Sequence, residues 1–156
     1  MYVVTSYRDA SEITANPYWS AQATSGTGPR SRVAAHNLDD GPGVELMPGV
    51  HADGVVVATK TRYDCSVATD LDLVLRAGGH DAVVLMGVTT NSCVLATAVS
   101  ASVRGLAVIV PRDCVDSMMG AAAHEAALAI LAGSFGWVMT SGDVLALAAL
   151  AAAVPR

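Results

Sequence analysis

Lysine is almost absent from this chain: Lys60 is its single lysine and every other basic residue is arginine. No basic block occurs and the formal net charge is -5. Nucleic-acid binding lacks its electrostatic footprint here, and an anionic membrane surface would repel the chain weakly. No apolar run approaches the roughly 20 residues that a spanning helix needs. The opening Met1-Tyr-Val-Val-Thr lacks the charged-then-apolar layout of a signal peptide, so a cytoplasmic location is the expectation. Cysteine is scarce as well: Cys65, Cys93 and Cys114 make an odd count with no C-x-x-C pair, which suggests neither a disulfide framework nor a zinc ribbon. His36, His51, His80 and His124 match no zinc-binding spacing. No metal or other cofactor is expected, and small neutral or metabolite-like partners are favoured.

What the chain does have is apolar sequence in short pieces. Its 156 residues are 53% hydrophobic and 15% charged, which fits one domain over residues 1–156 that buries roughly 70% of its unfolded surface. Apolar, β-branched runs lie at Tyr2 to Thr5, Val55 to Thr59, Ala82 to Met86, Leu106 to Val110 and Trp137 to Thr140. Each is apolar at consecutive positions, the pattern of strands buried on both faces. Helix-like stretches separate most of them, at Asp70 to Ala77, Ser92 to Val103, Ala121 to Leu131 and Asp143 to Ala153. This alternation predicts an α/β fold around a mostly parallel sheet. Thr69 is a candidate N-cap and Gly78-Gly79 a helix stop, while Ser141 or Asp143 starts the last helix, which frays at Pro155 and Arg156. Between Asn16 and Gly54, Gly, Pro, Ser and Asp dominate without periodicity. That stretch reads as a long, function-bearing loop with one helical turn around Arg32 to His36.

Chemistry concentrates at Met86-Gly87-Val88-Thr89-Thr90-Asn91-Ser92-Cys93-Val94, where a buried strand ends in small residues and a helix begins near Cys93. Backbone N–H groups and the dipole at a helix N-terminus favour an anion, so a thiol there is more readily deprotonated. The same N–H groups can hold the oxyanion formed when a thiolate attacks a carbonyl. Against this stands the plainer reading of Cys93 as a small apolar filler; Cys65 and Cys114 read as structural. Lys60 ends a strand and so belongs at the carboxyl edge of the sheet, where open α/β sheets bind ligands. A cation at that edge can favour a thiolate or stabilise developing negative charge, although a solvated lysine at a strand end is the commoner case.

Taken in order, these pieces resemble the isochorismatase-like cysteine hydrolases, a family that includes N-carbamoylsarcosine amidases and nicotinamidases. The resemblance runs through Lys60-Thr61-Arg62-Tyr63-Asp64-Cys65-Ser66, Thr69-Asp70-Leu71-Asp72, Leu75-Arg76, Gly87 to Val94 with Ala96-Thr97, Arg112-Asp113-Cys114-Val115-Asp116 and His124-Glu125-Ala126-Ala127-Leu128. It implies a three-layer α/β/α, Rossmann-like fold with Cys93 as nucleophile and Lys60 as its partner. It further implies a cis peptide between Val88 and Thr89 and an oxyanion hole made by the backbone N–H groups of Thr89 and Cys93.

The family completes its triad with an aspartate after the first strand, in a segment resembling Asp-Met-Gln-x-Asp-Phe. Here Tyr2 to Asp9 resembles the second strand instead, so a strand and crossover helix of roughly 30 residues are not found in this sequence. In this fold the first strand is central, and its loss would open a gap in the sheet. A start assigned too late is preferred over a true truncation or a rearranged sheet. Asp9 is a poor substitute base, because nothing in the sequence aims it at Cys93. Without a base, proton transfer to the leaving amine suffers by roughly 10²–10⁴-fold.

Cys93 points to the amidase-type branch, in which a thiolate attacks an amide, ureido or carbamoyl carbon and a thioester-type intermediate follows. The alternative is a catalytically impaired family relic. Ser6 to Glu12 lacks the histidines of the nicotinamidase metal motif, which disfavours nicotinamide. Arg62 and Tyr63 are placed to line the pocket, Arg62 either gripping a substrate carboxylate or making a surface salt bridge. Pro17-Tyr18-Trp19, in the long loop, is expected to supply an apolar wall or an intersubunit contact, with Trp19 as a substrate-binding candidate. A homodimer or homotetramer is expected by resemblance, the apolar helix Val144 to Val154 helping to bury its interface. A nucleotide-binding domain is set aside for want of a Gly-rich phosphate loop.

Overall fold

A computed structural model describes residues 1–26, 37–39, 41–46, 48–50 and 57–153. The expected turn at Arg32 to His36, together with Val55, Val56, His51, Val154, Pro155 and Arg156, lies outside the described residues. The described elements are β1 (Tyr2–Thr5), α1 (Ala10–Thr14), α2 (Pro17–Ser25), β2 (Val57–Lys60), α3 (Leu71–Ala77), β3 (Ala82–Val84), β4 (Gly87–Val88), α4 (Leu95–Val103), β5 (Ala107–Pro111), β6 (Val115–Asp116), α5 (Ala121–Ser134), β7 (Trp137–Met139) and α6 (Ser141–Ala153). Among the described residues all the strand pairs are parallel, as expected of a Rossmann-like α/β chain. The residues group into two compact units: Met1–Arg62 with Val67–Asp70, and Tyr63–Ser66 with Leu71–Arg156.

In the first unit β1 and β2 pair from Tyr2↔Val57 to Thr5↔Lys60. Two helices follow β1, α1 ahead of the stretch expected as a long loop and α2 within it. Asp9 caps α1 by accepting from Ser11 N–H at 2.7 Å. Asn16 caps α2 by accepting from the N–H groups of Tyr18 and Trp19, with Pro17 in the first turn. An Asn-Pro pair of this kind satisfies orphan donors and pre-sets the helical φ; the long loop expected from Asn16 onward therefore begins as a helix. Tyr7, Ile13 and Trp19 are buried there, with Tyr7 and Trp19 edge to face at a centroid distance of 6.2 Å.

The second unit is built on a three-stranded sheet ordered β3-β5-β7. Val94, Ala98 and Ala101, spaced to share one helical face, cluster with Val108 and Val110 of β5 and with Leu128 and Leu131 of α5. Burial on both faces, expected of every strand, holds well only for the central β5. Val84 of β3 is 42% exposed and Trp137 of β7 is 60% exposed, because these two strands flank β5. The run expected as one strand from Ala82 to Met86 is shorter: Leu85 N–H still donates to Ile109, and the chain then leaves β5 to pair with β6 through Gly87↔Val115 and Val88↔Asp116. Gly87 makes that change with a φ of +110°, a region open to glycine and strained for other residues.

The segment Tyr63–Ser66 is tied to α4 by polar contacts. Cys65 N–H donates to Thr97 Oγ1 at 3.1 Å, and Ser66 Oγ lies 3.1 Å from Ser100 Oγ while receiving an Arg104 N–H at 2.6 Å. Asp64 accepts both Ser66 N–H and Ser66 Oγ–H. Burial alone would raise the Asp64 carboxyl, but the Ser66 and Ser100 groups together with Arg104 outweigh it and hold the pKa below the ordinary 3.8. At the far end, Thr140 and Asp143 cap α6 reciprocally: Thr140 N–H donates to Asp143 at 3.0 Å and Asp143 N–H to Thr140 Oγ1 at 3.2 Å.

Two stability outcomes follow from these contacts. A Cβ on Gly136 would sit 2.4 Å from the carbonyl oxygen of Val108, whereas one on Gly133 meets nothing within 4 Å. Gly136→Ala should cost about 1–3 kcal/mol, and Gly133→Ala, inside α5, should gain roughly 0.5–1 kcal/mol; equal urea midpoints for the two variants would refute the packing account. Because the folded pKa of Asp64 lies below its unfolded value, its contribution is present above about pH 4 and is lost as the pH falls through the folded value. Asp64→Asn should accordingly flatten the decline of stability as the pH falls below about 4. A decline as steep as in the wild type would count against this role for Asp64.

Candidate active site

The turn that carries Cys93 is built from two small ladders. β4 and β6 run side by side, so the residues just beyond them emerge together, and Ser117 Oγ donates to Asn91 Oδ1 at 2.7 Å. The chain then enters a π-helical turn, Thr90–Val94, which runs directly into α4. Helix therefore begins two residues earlier than expected, and Cys93 sits inside its first turn. The carbonyl of Thr89 accepts from both Ser92 N–H and Val94 N–H, each at 3.2 Å. Thr89 Oγ1 and Ser92 Oγ also share a hydrogen bond. The peptide bond between Val88 and Thr89 is cis.

Within this turn Val94 and Thr90 are buried, the latter completely, and Cys93 is half-buried. The Thr90 hydroxyl lies 2.9 Å from His124 Nδ1. His124, near the start of α5, is half-buried, and its imidazole reaches the turn that carries Cys93. Asn91 spends its amide on the neighbouring segment, donating from Nδ2 to Met119 Sδ at 2.9 Å. Met119 N–H and Gly120 N–H both return to Ser117, the first to its hydroxyl and the second to its carbonyl. The stretch from Ser117 to His124 is thus an outer brace for the turn. Sequence reading singled out neither Ser117 nor the Thr90–His124 pair; the sole signal was His124 opening a helix in the resemblance.

Lys60 belongs to the first unit, at the carboxyl end of β2. It is 5% exposed and donates from Nζ to the carbonyl of Arg62 at 2.8 Å. It is not the solvated strand-end lysine that is common on protein surfaces, since lysine is almost never fully buried without partners. Arg62 is half-buried and donates to the carbonyl of Thr61 at 2.7 Å. Asp9 is engaged as the α1 cap. Trp19, expected as a pocket wall or subunit contact, is 6% exposed and packs on Tyr7; that burial makes it a core residue with little surface to offer a ligand. In the second unit Tyr63, Cys65 and Cys114 are half-buried. Among the described residues no group of three or more His, Cys, Asp or Glu is placed to hold a metal ion, and no helix is long and apolar enough to cross a membrane.

Known proteins resemble this chain in both sequence and fold. The Isochorismatase domain model matches residues 3–143. Maleamate amidohydrolase of Pseudomonas putida is 38% identical over 92 residues, covering 59% of this chain and 43% of that protein. Ureidoacrylate amidohydrolase of Variovorax paradoxus is 34% identical over 90 residues, covering 58% and 36%. The crystal structure of a nicotinamidase from Bacillus subtilis aligns with a TM-score of 0.69 at 28% identity, covering 88% of this chain and 72% of that one. The chain spans less than half the length of these two curated relatives. With the family domain matched over most of its length and a parallel α/β fold to carry it, the chain belongs to the isochorismatase family.

Proposed function

We propose that this chain hydrolyses the C–N bond of a small amide, ureido or carbamoyl substrate with Cys93 as nucleophile. The observation that carries the reading is the position of Cys93, half-buried in the first turn of a helical run that follows directly on a strand end. Two of the relatives bear the names of amidohydrolases that act on maleamate and ureidoacrylate. These names support the class of bond, and the substrate is proposed only at that level.

In the proposed reaction the Cys93 thiolate adds to the carbonyl carbon, and the oxyanion so formed is held by the backbone N–H groups of Thr89 and Cys93. The C–N bond then breaks, and the leaving nitrogen gains the proton that the thiol has lost. Water attacks the resulting thioester, releasing the acid and restoring the thiol. Lys60 is proposed as the cation that stabilises negative charge along this path. Its burial supports the role, because an ammonium withdrawn from water is costly to keep without a charge or dipole to serve. Arg62 and Tyr63 are proposed to bind the substrate, and a cytoplasmic homodimer or homotetramer is proposed as the working form.

Iodoacetamide labelling of the intact folded chain, read residue by residue by mass spectrometry, tests the nucleophile directly. Cys93 should react at least about tenfold faster than Cys65 and Cys114, as an activated thiol does. A screen of carbamoyl and primary-amide compounds should then yield turnover that Cys93→Ala abolishes. Lys60→Met should lower kcat by roughly 10²–10³-fold, as loss of one charge-stabilising group does, and Lys60→Arg should not restore it. Equal labelling of the three thiols, or turnover that survives Cys93→Ala, would sink the reading.

A further inference from the structure

The Thr90 hydroxyl is fully buried, and its partner His124 Nδ1 stands 34 residues further along the chain. Thr90 opens the π-helical turn and Cys93 lies three positions later within the same five-residue turn. Movement of Thr90 would therefore carry Cys93 with it. The neighbouring bond from Ser117 also reaches the turn, at Asn91, but through a side chain that is only half-buried. The backbone bonds to the Thr89 carbonyl shape the turn but do not fasten it to anything outside itself. Of these contacts, the Thr90–His124 bond is the one that ties the turn to α5 from a fully buried position.

We infer that His124 is a positioning residue for the nucleophile: through Thr90 it fixes the turn that aims the Cys93 sulfur and the N–H groups beside it. This rests on Cys93 being the nucleophile. His124 touches neither the substrate nor the sulfur in this role, and its effect runs through geometry. Misplacement of reacting groups by about 1 Å can cost on the order of 100-fold in rate, so a lost anchor should be visible in the chemistry of Cys93 while leaving distant thiols unchanged.

The experiment is the iodoacetamide rate at Cys93 in the full chain, with Cys65 and Cys114 as internal references and melting curves as a check of folding. Thr90→Val and His124→Leu should each slow Cys93 labelling by roughly tenfold or more. The reference thiols should keep their rates. Thr90→Ser and His124→Asn keep a hydrogen-bonding atom near the original position, and should return Cys93 to within about threefold of the wild type. The double variant Thr90→Val with His124→Leu should be no slower than the worse single variant, since both remove the same bond. Where a turnover assay exists, kcat should fall by the same factor with KM little changed.

Several results would overturn the inference. One is an unchanged Cys93 rate in folded Thr90→Val and His124→Leu. Another is additive losses in the double variant. A third is parallel change at all three thiols, which would mark the pair as purely structural. If the substitutions to Val and Leu do not fold, His124→Asn and Thr90→Ser decide the matter: a Cys93 rate as low in these as in unfolded chain rejects the bond as the anchor. A wild type in which Cys93 reacts no faster than the reference thiols is a different failure, that of the nucleophile assignment itself.

Discussion

Two amide groups, those of Ser92 and Val94, converge on the carbonyl of Thr89, and much of the second unit depends on that convergence. It ends an extended segment and begins a helix with no loop between them. The helical run can then present Val94, Ala98 and Ala101 to β5 as one apolar face. The same turn leaves Cys93 half-buried at its start. Had the chain needed a flexible connection here, neither the packing of α4 nor the placement of the thiol would be fixed by backbone geometry. Gly87 prepares the turn by taking the chain out of the β5 ladder and into pairing with β6.

Buried polar groups show how each unit is held at particular points. Thr90 and Ser117 are each less than one tenth exposed in the second unit, and Lys60 is equally withdrawn in the first. Taking such groups from water costs free energy unless they find partners, and each of these does: His124 for Thr90, Asn91 for Ser117, the Arg62 carbonyl for Lys60. No buried side-chain nitrogen or oxygen among the described residues lacks a hydrogen-bond partner. Contacts of this kind are directional. An apolar core of alanine and valine tolerates small shifts of a helix along its neighbour, whereas a hydroxyl bonded to an imidazole at 2.9 Å allows little.

Most strands were legible in the sequence because they depend on composition over short windows. The run Tyr2 to Thr5 is β1 as expected, and the runs near residues 57–60, 82–84, 107–111 and 137–139 each became a strand with small changes at the ends. Burial was less legible: which strand lies centrally is a long-range fact, and only β5 has neighbours on both sides in its sheet. Helices α1 and α2 escaped notice since their signals are single capping residues, Asp9 and Asn16, rather than a stripe of apolar positions. The burial of Lys60 and the approach of His124 to Thr90 are tertiary facts that no local pattern encodes.

That division explains what the turn motif could and could not reveal about chemistry. The spacing from Gly87 to Cys93 marks a strand end followed by a helix start, and elementary dipole arguments then favour an anion there. They do not say how firmly the anion is aimed. A helix terminus on a loosely packed segment would offer the same dipole but would have to reorganise as charge develops, and preorganised donors are effective because that reorganisation has already been done. In this chain the preorganisation comes from outside the motif, from the Ser117 to His124 brace laid against the turn. A motif of nine residues can thus mark a candidate thiol, while the contacts that hold its turn in place are written more than twenty residues downstream.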